Sequence, residues 1–217
     1  MKSTDMNKPL VCVIDDDAEV RGSLDALLRS ADFRVATFAS PDGFMASDEA
    51  DAAACLILDV RLKDADGLEF QQTLLEADAR VPVILITGHG DIPMTVRGMK
   101  AGAVDFLAKP FVDDALLPAV SEAVKRDQER RAKEGADDSL KTLYASLTPR
   151  ERDVMGLVTA GLMNKQIAAK LALSEVTVKI HRGNLMRKMQ APSLADLVRM
   201  AETLGVRDSG AARYGHA

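Results

Sequence analysis

The chain has 217 residues, of which 47% are hydrophobic and 28% charged, enough for a buried core and far from a disordered or collagen-like composition. No apolar run nears the roughly 18 residues a membrane span requires, and the polar opening MKSTDMNK is no secretory leader, so a soluble cytoplasmic protein without a membrane partner is expected. The formal net charge of −5 hides an asymmetry: from Thr148 onward 11 Lys and Arg face 6 Asp and Glu, leaving 17 against 27 for residues 1–147, so two modules are expected and the basic one is the candidate for nucleic acid.

Short apolar runs, partly β-branched and bounded by Asp, Gly or Pro, occur at Leu10–Ile14, Arg34–Phe38, Ala54–Leu58, Val83–Thr87 and Asp105–Ala108. They read as buried parallel strands. Cys12 and Cys55 fall inside two of them and read as free thiols in a reducing compartment. Between the strands, Val20, Leu24, Leu27, Leu28 and Ala31 recur at helical spacing. Ser40-Pro41 reads as an N-cap with Pro at the first helical position, and Ala101-Gly102 as a helix stop. Five strands alternating with helices predict a doubly wound α/β domain with a five-stranded parallel sheet.

A last helix is expected from about Asp114 to Glu134, with Pro118 near its start, and the polar stretch Gly135–Ser139 reads as a break. Domains are therefore expected at 8–125 and 143–208, joined by a helical extension and linker over 126–142. Beyond Leu140 the pattern is wholly helical. Thr148-Pro149-Arg150-Glu151 is a capping box, and further starts at Asn164, Ser174 and Ser193 predict four short helices.

In an open parallel sheet, chemistry sits beyond the carboxyl ends of the strands. Those ends carry Asp15, Asp16 and Asp17, then Asp59, Thr87 and Lys109. Each alone has a structural reading, and Asp17 is the natural N-cap of the first helix. Together they make a pocket of carboxylates whose mutual repulsion calls for a cation. An all-oxygen set with room for water suits Mg²⁺, held by Asp15, Asp16, Asp59 and the backbone carbonyl of Arg61. Phosphoryl transfer to a carboxylate fits this set. Asp59 is the expected nucleophile, with Thr87 and Lys109 binding phosphoryl oxygens.

These residues resemble a response-regulator receiver domain, through VIDDD (Val13–Asp17), LDV (Leu58–Val60), Asp66-Gly67, TGHGD (Thr87–Asp91) and AGAVDFLAKPF (Ala101–Phe111). Asp16 stands 43 residues before Asp59, and Thr87 and Lys109 stand 28 and 50 after it, as in that family. The wording is similar to the FixJ-like branch. The resemblance implies a sensor histidine kinase as phosphoryl donor and Thr87 with Phe106 as paired switch residues. Because Thr87 and Phe106 lie on adjacent strands, one in the pocket and one toward the neighbouring face, a phosphorylation-dependent homodimer is expected through that face, where Val96, Met99, Lys100 and Asp105 offer apolar and charged groups suited to a two-fold contact. The loop Arg61–Gly67 lacks the Met-Pro-Gly common in the family, which leaves it less constrained.

In the basic half, helices over Pro149–Ala160, Lys165–Leu171 and Glu175–Met189 form a helix-turn-helix, with Ala172-Leu173-Ser174 as the short connection. Val176, Ile180, Asn184 and Leu185 are expected to face inward, and His181 to be packed and hydrogen-bonded. Thr177, Lys179, Arg182, Arg187 and Lys188 are the candidate DNA contacts. LTPRE (Leu147–Glu151), NKQIA (Asn164–Ala168), LSEVTVKIHRGNLMRKM (Leu173–Met189) and SLADLVRMA (Ser193–Ala201) resemble the LuxR-type DNA-binding domain, with Gly183 where some relatives carry Lys. This implies promoter DNA and RNA polymerase as partners, and no enzymatic activity beyond self-phosphorylation and slow dephosphorylation. A haloacid-dehalogenase-like phosphatase is the enzyme alternative, but Ala18 and Glu19 follow the Asp run where that family needs other residues, and no cap domain is present. A constitutive DNA-binding protein with an inert acidic domain is the other, opposed by the completeness of the pocket.

Overall fold

The computed structural model describes residues 8–88 and 92–206. His89, Gly90 and Asp91, part of the TGHGD signature, lie outside the described residues, as do residues 207 and 208 at the end of the expected second domain. The elements in chain order are β1 (Leu10–Ile14), α1 (Ala18–Ser30), β2 (Arg34–Phe38), α2 (Pro41–Met45), α3 (Glu49–Ala52), β3 (Ala53–Asp59), α4 (Gly67–Glu76), β4 (Val83–Thr87), α5 (Ile92–Lys100), β5 (Asp105–Ala108), α6 (Asp113–Ala145), α7 (Pro149–Thr159), α8 (Asn164–Leu171), α9 (Glu175–Lys188) and α10 (Leu194–Thr203). They divide into two compact units, residues 1–131 and 132–217.

In the first unit the strands form one parallel sheet in the order β2-β1-β3-β4-β5. Strand side chains alternate between two apolar layers, as the pleat requires. Val11, Val13, Cys55, Ile57, Ile84 and Ile86 pack with α1 and α6, while Cys12, Ile14, Leu56, Leu58 and Leu85 pack with α2 and α4. The two cysteines therefore lie on opposite faces as free thiols. Burial pushes Cys12 up to about 12 and Cys55 up as well, so neither is a ready thiolate. The α1 and β1 expectations hold, including Asp17 as N-cap to the amides of Glu19 and Val20. Ser40 likewise caps α2.

The expected break at Gly135–Ser139 is helical. α6 runs unbroken for 33 residues through Pro118 and Gly135. Glycine costs only about 1 kcal/mol in a helix interior, and the turns beyond Gly135 are tied down. Lys141 pairs with Asp138, the Thr142 hydroxyl donates to the Asp138 carbonyl, and Leu140, Leu143 and Tyr144 pack on the second core. The division between units falls inside this helix, after Arg131. That residue is itself anchored to the first unit: Arg131 pairs with buried Asp127 and donates to the carbonyls of Asp51 and Ala53.

The second unit is the expected set of short helices around Val154, Met155, Val158, Ile167, Val178, Leu185, Met189 and Leu197. Its capping box is complete, Thr148 accepting from the Glu151 amide and Glu151 from the Thr148 amide. α8 ends at Ala172 in the left-handed region, φ 53°, which turns the chain sharply into α9. Among the described residues, no helix is long and apolar enough to cross a membrane.

Candidate functional site

The parallel register brings the ends of β1, β3, β4 and β5 to one edge of the sheet. Asp15 is fully buried there. One of its carboxylate oxygens accepts from the Asp17 amide at 2.9 Å and the other from Lys109 Nζ at 2.6 Å. Asp59, also buried, accepts from the Arg61 amide at 3.0 Å and from the same Lys109 Nζ at 2.6 Å. Lys109 therefore bridges two carboxylates carried by strands that do not pair with its own. Its backbone amide donates to the Thr87 carbonyl at 2.7 Å, which fixes its start, and the Lys109-Pro110 bond is cis, as X-Pro at a tight turn allows.

The charges respond to this packing. Burial raises Asp15 above its ordinary value against the pull of Lys109. Burial also lowers Lys109, but its two carboxylate partners outweigh that and leave it above its ordinary value. Asp16 is exposed, and carboxylate oxygens of Asp15, Asp16 and Asp59 lie within 4.8 Å of one another. One ammonium against three clustered carboxylates leaves an excess of negative charge, so this donor set is compatible with a divalent cation. Thr87 is fully buried at the end of β4. Phe106 lies one strand away, paired with Leu85 in register and half-buried against the layer that holds it.

Gly67 enters the sequence reading only as part of a motif, and its importance appears in three dimensions. A Cβ there would stand 2.2 Å from the Asp59 carbonyl oxygen and 2.8 Å from Val60 Cα. Its amide donates to the Val60 carbonyl at 2.8 Å, and Asp66 caps the adjoining helix with bonds to the amides of Leu68 and Glu69. An Arg61–Asp66 bridge closes the intervening loop. The loop that lacks the family's Met-Pro-Gly is thus pinned at its ends. On α5, Val96 and Met99 are 44% and 43% exposed and Lys100 is exposed, while the half-buried Asp105 accepts from the Phe106 amide.

In the second unit the phase of α9 differs from the sequence expectation. Val178, Leu185 and Met189 form the packed stripe, and Val176 and Ile180 face solvent. Apolar residues spread over positions 176–185 leave the helix phase ambiguous, and the core selects the one with a 178–185–189 spacing. Asn184 and His181 are half-buried, with no ring hydrogen bond of His181 among the described residues. Lys179 and Arg187 are exposed; Arg187 donates to Asn184. Thr177 is half-buried beside the capping Ser174. Arg182 donates to Asn164 at 3.2 Å, joining α9 to the start of α8. Lys188 has a different occupation from the DNA contact expected of it. Its ammonium donates to Glu151 at 2.7 Å and to the Ser146 carbonyl at 3.3 Å. Glu151 is 3% exposed, a buried acid the sequence disclosed only as a capping residue.

Comparison with known proteins finds a match for each unit. A family model of the response regulator receiver domain matches residues 11–121, and one of bacterial regulatory proteins of the luxR family matches residues 145–201. The chain is 53% identical over 199 residues to nodulation protein W of Bradyrhizobium diazoefficiens, covering 92% of this chain and 88% of that one. It is 41% identical over 196 residues to the transcriptional regulatory protein FixJ of the same organism, covering 90% and 96%. A solved structure of the response regulator StyR superposes with a TM-score of 0.83 at 48% identity, covering 90% of this chain and 98% of that one.

Proposed function

The chain belongs to the response regulators that join a receiver to a LuxR-type DNA-binding domain and regulate transcription by phosphorylation, and from that premise we propose that Asp59 accepts the phosphoryl group of a sensor histidine kinase. The observation that carries the assignment is the placement of Asp59 at a strand end, where Lys109 bridges it to the buried Asp15 carboxylate. A carboxylate oxygen of Asp59 attacks phosphorus, the phosphorus–nitrogen bond of the donor phosphohistidine breaks, and the leaving imidazole nitrogen takes up a proton. Lys109 orients Asp59 beforehand and pairs with a phosphoryl oxygen afterwards. The Thr87 hydroxyl donates to another. Mg²⁺ is the cation we assign to Asp15, Asp16, Asp59 and the Arg61 carbonyl; when bound, it offsets the repulsion between an anionic donor and an anionic acceptor.

Capture of the Thr87 hydroxyl draws Phe106 inward, and the face formed by Val96, Met99, Lys100 and Asp105 then dimerises. Pairing raises the effective concentration of two DNA-binding units on paired half-sites of a promoter, where the bound regulator meets RNA polymerase. The protein works in the cytoplasm and catalyses nothing beyond its own phosphorylation and slow dephosphorylation.

Incubation with acetyl phosphate and Mg²⁺ and then intact-mass measurement tests the assignment. One phosphoryl group is expected on the native chain and none on Asp59→Asn; equal uptake by both refutes it. Sedimentation of the same samples tests dimerisation, which Lys100→Glu is expected to weaken. A phosphorylated chain that stays monomeric contradicts that part.

A further inference from the structure

The exposed face of α9 combines two chemistries. Lys179 and Arg187 are cationic, and beside them Val176 and Ile180 are 69% and 58% exposed. Val176 and Ile180 stand four residues apart, so they share one face on successive turns. Scattered exposed aliphatics are ordinary in soluble proteins. Here two of them occupy adjoining turns of the one helix already read as the groove helix, and the core contributes nothing to holding them. Helix propensity does not favour them either, since β-branching restricts the side chain against the preceding turn. Gly183 continues the same face. A Cβ there would meet nothing within 4 Å, so packing does not demand glycine, and its bareness lets the helix lie close to a surface.

The apolar feature that DNA presents in the major groove is the C5 methyl of thymine. We propose that Val176 and Ile180 form a two-residue apolar strip that takes thymine methyls and so determines sequence specificity, an inference that rests on reading α9 as the DNA-contacting helix. The charge of Lys179 and Arg187 supplies attraction for the polyanion, and the strip supplies discrimination. The two residues are separated by about 6 Å along the helix axis, against a base-pair rise of about 3.4 Å. The two thymines accordingly stand one or two steps apart within a half-site.

Selection of duplexes from a randomised pool by the full, acetyl-phosphate-treated chain supplies the sites. Each thymine of a selected duplex is then replaced singly by uracil, which removes only the methyl, and affinity is read by fluorescence anisotropy at fixed salt. Two uracil substitutions are expected to weaken binding about fourfold each, the worth of one buried methyl-sized group. One of these penalties is expected to vanish in Val176→Ala and the other in Ile180→Ala, with the salt slope unchanged. Both side chains are solvent-facing, so these variants leave the core intact. Selective binding that tolerates uracil at every position overturns the inference alone, as do penalties that persist in both alanine variants. Failure to retain any duplex overturns the DNA reading beneath it.

Discussion

Replacing Lys188 by Met separates two uses of its ammonium. In the structure it serves Glu151 and the Ser146 carbonyl, with the Glu151 side chain 4% exposed and that of Lys188 32%. Methionine keeps most of the apolar stem and removes the charge, leaving the Glu151 carboxylate with the Thr148 amide. Breaking a fully buried pair costs about 3–5 kcal/mol. Lys188 is one-third exposed, so water can replace its ammonium, and the expected cost falls to about 1.5–3 kcal/mol, that of one charge-assisted hydrogen bond. In a unit this small, that lowers the melting temperature by roughly 6–24 °C. Tyrosine fluorescence reads this unit selectively, because both tyrosines, Tyr144 and Tyr214, lie beyond residue 131 and the chain has no tryptophan. A Glu151→Gln, Lys188→Met double variant should recover part of the loss. Unchanged melting of Lys188→Met, together with a salt slope reduced by about one, would refute the structural assignment and return Lys188 to the DNA.

Gly67→Ala forces a Cβ onto the Asp59 carbonyl and should cost about 1–3 kcal/mol while slowing phosphorylation by acetyl phosphate; an unaltered rate argues against Gly67 as a positioning residue. Lys109→Met removes the charge that bridges Asp15 and Asp59, so calorimetric titration should show tighter Mg²⁺ binding even as phosphorylation slows, and weaker binding contradicts the excess of negative charge. Burial works to raise Glu151, but its bonds to Lys188 and Thr148 prevail and hold it below its ordinary value of 4.5. Its stabilisation is therefore complete above about pH 4.5 and lost as the pH falls through the depressed value. Glu151→Gln should flatten that part of the acid dependence of tyrosine-monitored melting.

The sheet is legible in the sequence because its central strands β1, β3 and β4, buried on both faces, leave near-continuous apolar runs, while the half-buried edge strands β2 and β5 still show as short β-branched or aromatic stretches between turns. Leu10–Ile14, Arg34–Phe38, Val83–Thr87 and Asp105–Ala108 have the expected bounds, and β3 extends one residue further at each end, to Ala53 and Asp59. The four-residue α3 carries too little periodicity to announce itself. The pocket is legible for a topological reason: parallel register places every strand end together, so chemistry-bearing residues there converge. Gly67 cannot be weighed that way, since its value lies in a contact distance. The phase of α9 escapes the sequence because polar residues separate its apolar ones at two competing spacings. Gly135–Ser139 misleads because local composition speaks of propensity, whereas Leu140, Leu143 and Tyr144 speak through packing.

Two-domain chains are usually nicked where an open linker offers its backbone to a protease. Here the stretch from Ala132 to Ser139, though largely exposed, is held in the hydrogen-bond ladder of α6. A protease needs an extended segment, so cleavage there must wait for the helix to open, most readily around Gly135, the residue of that stretch with the lowest helix propensity. The rate of nicking between the units then becomes a clock for that opening.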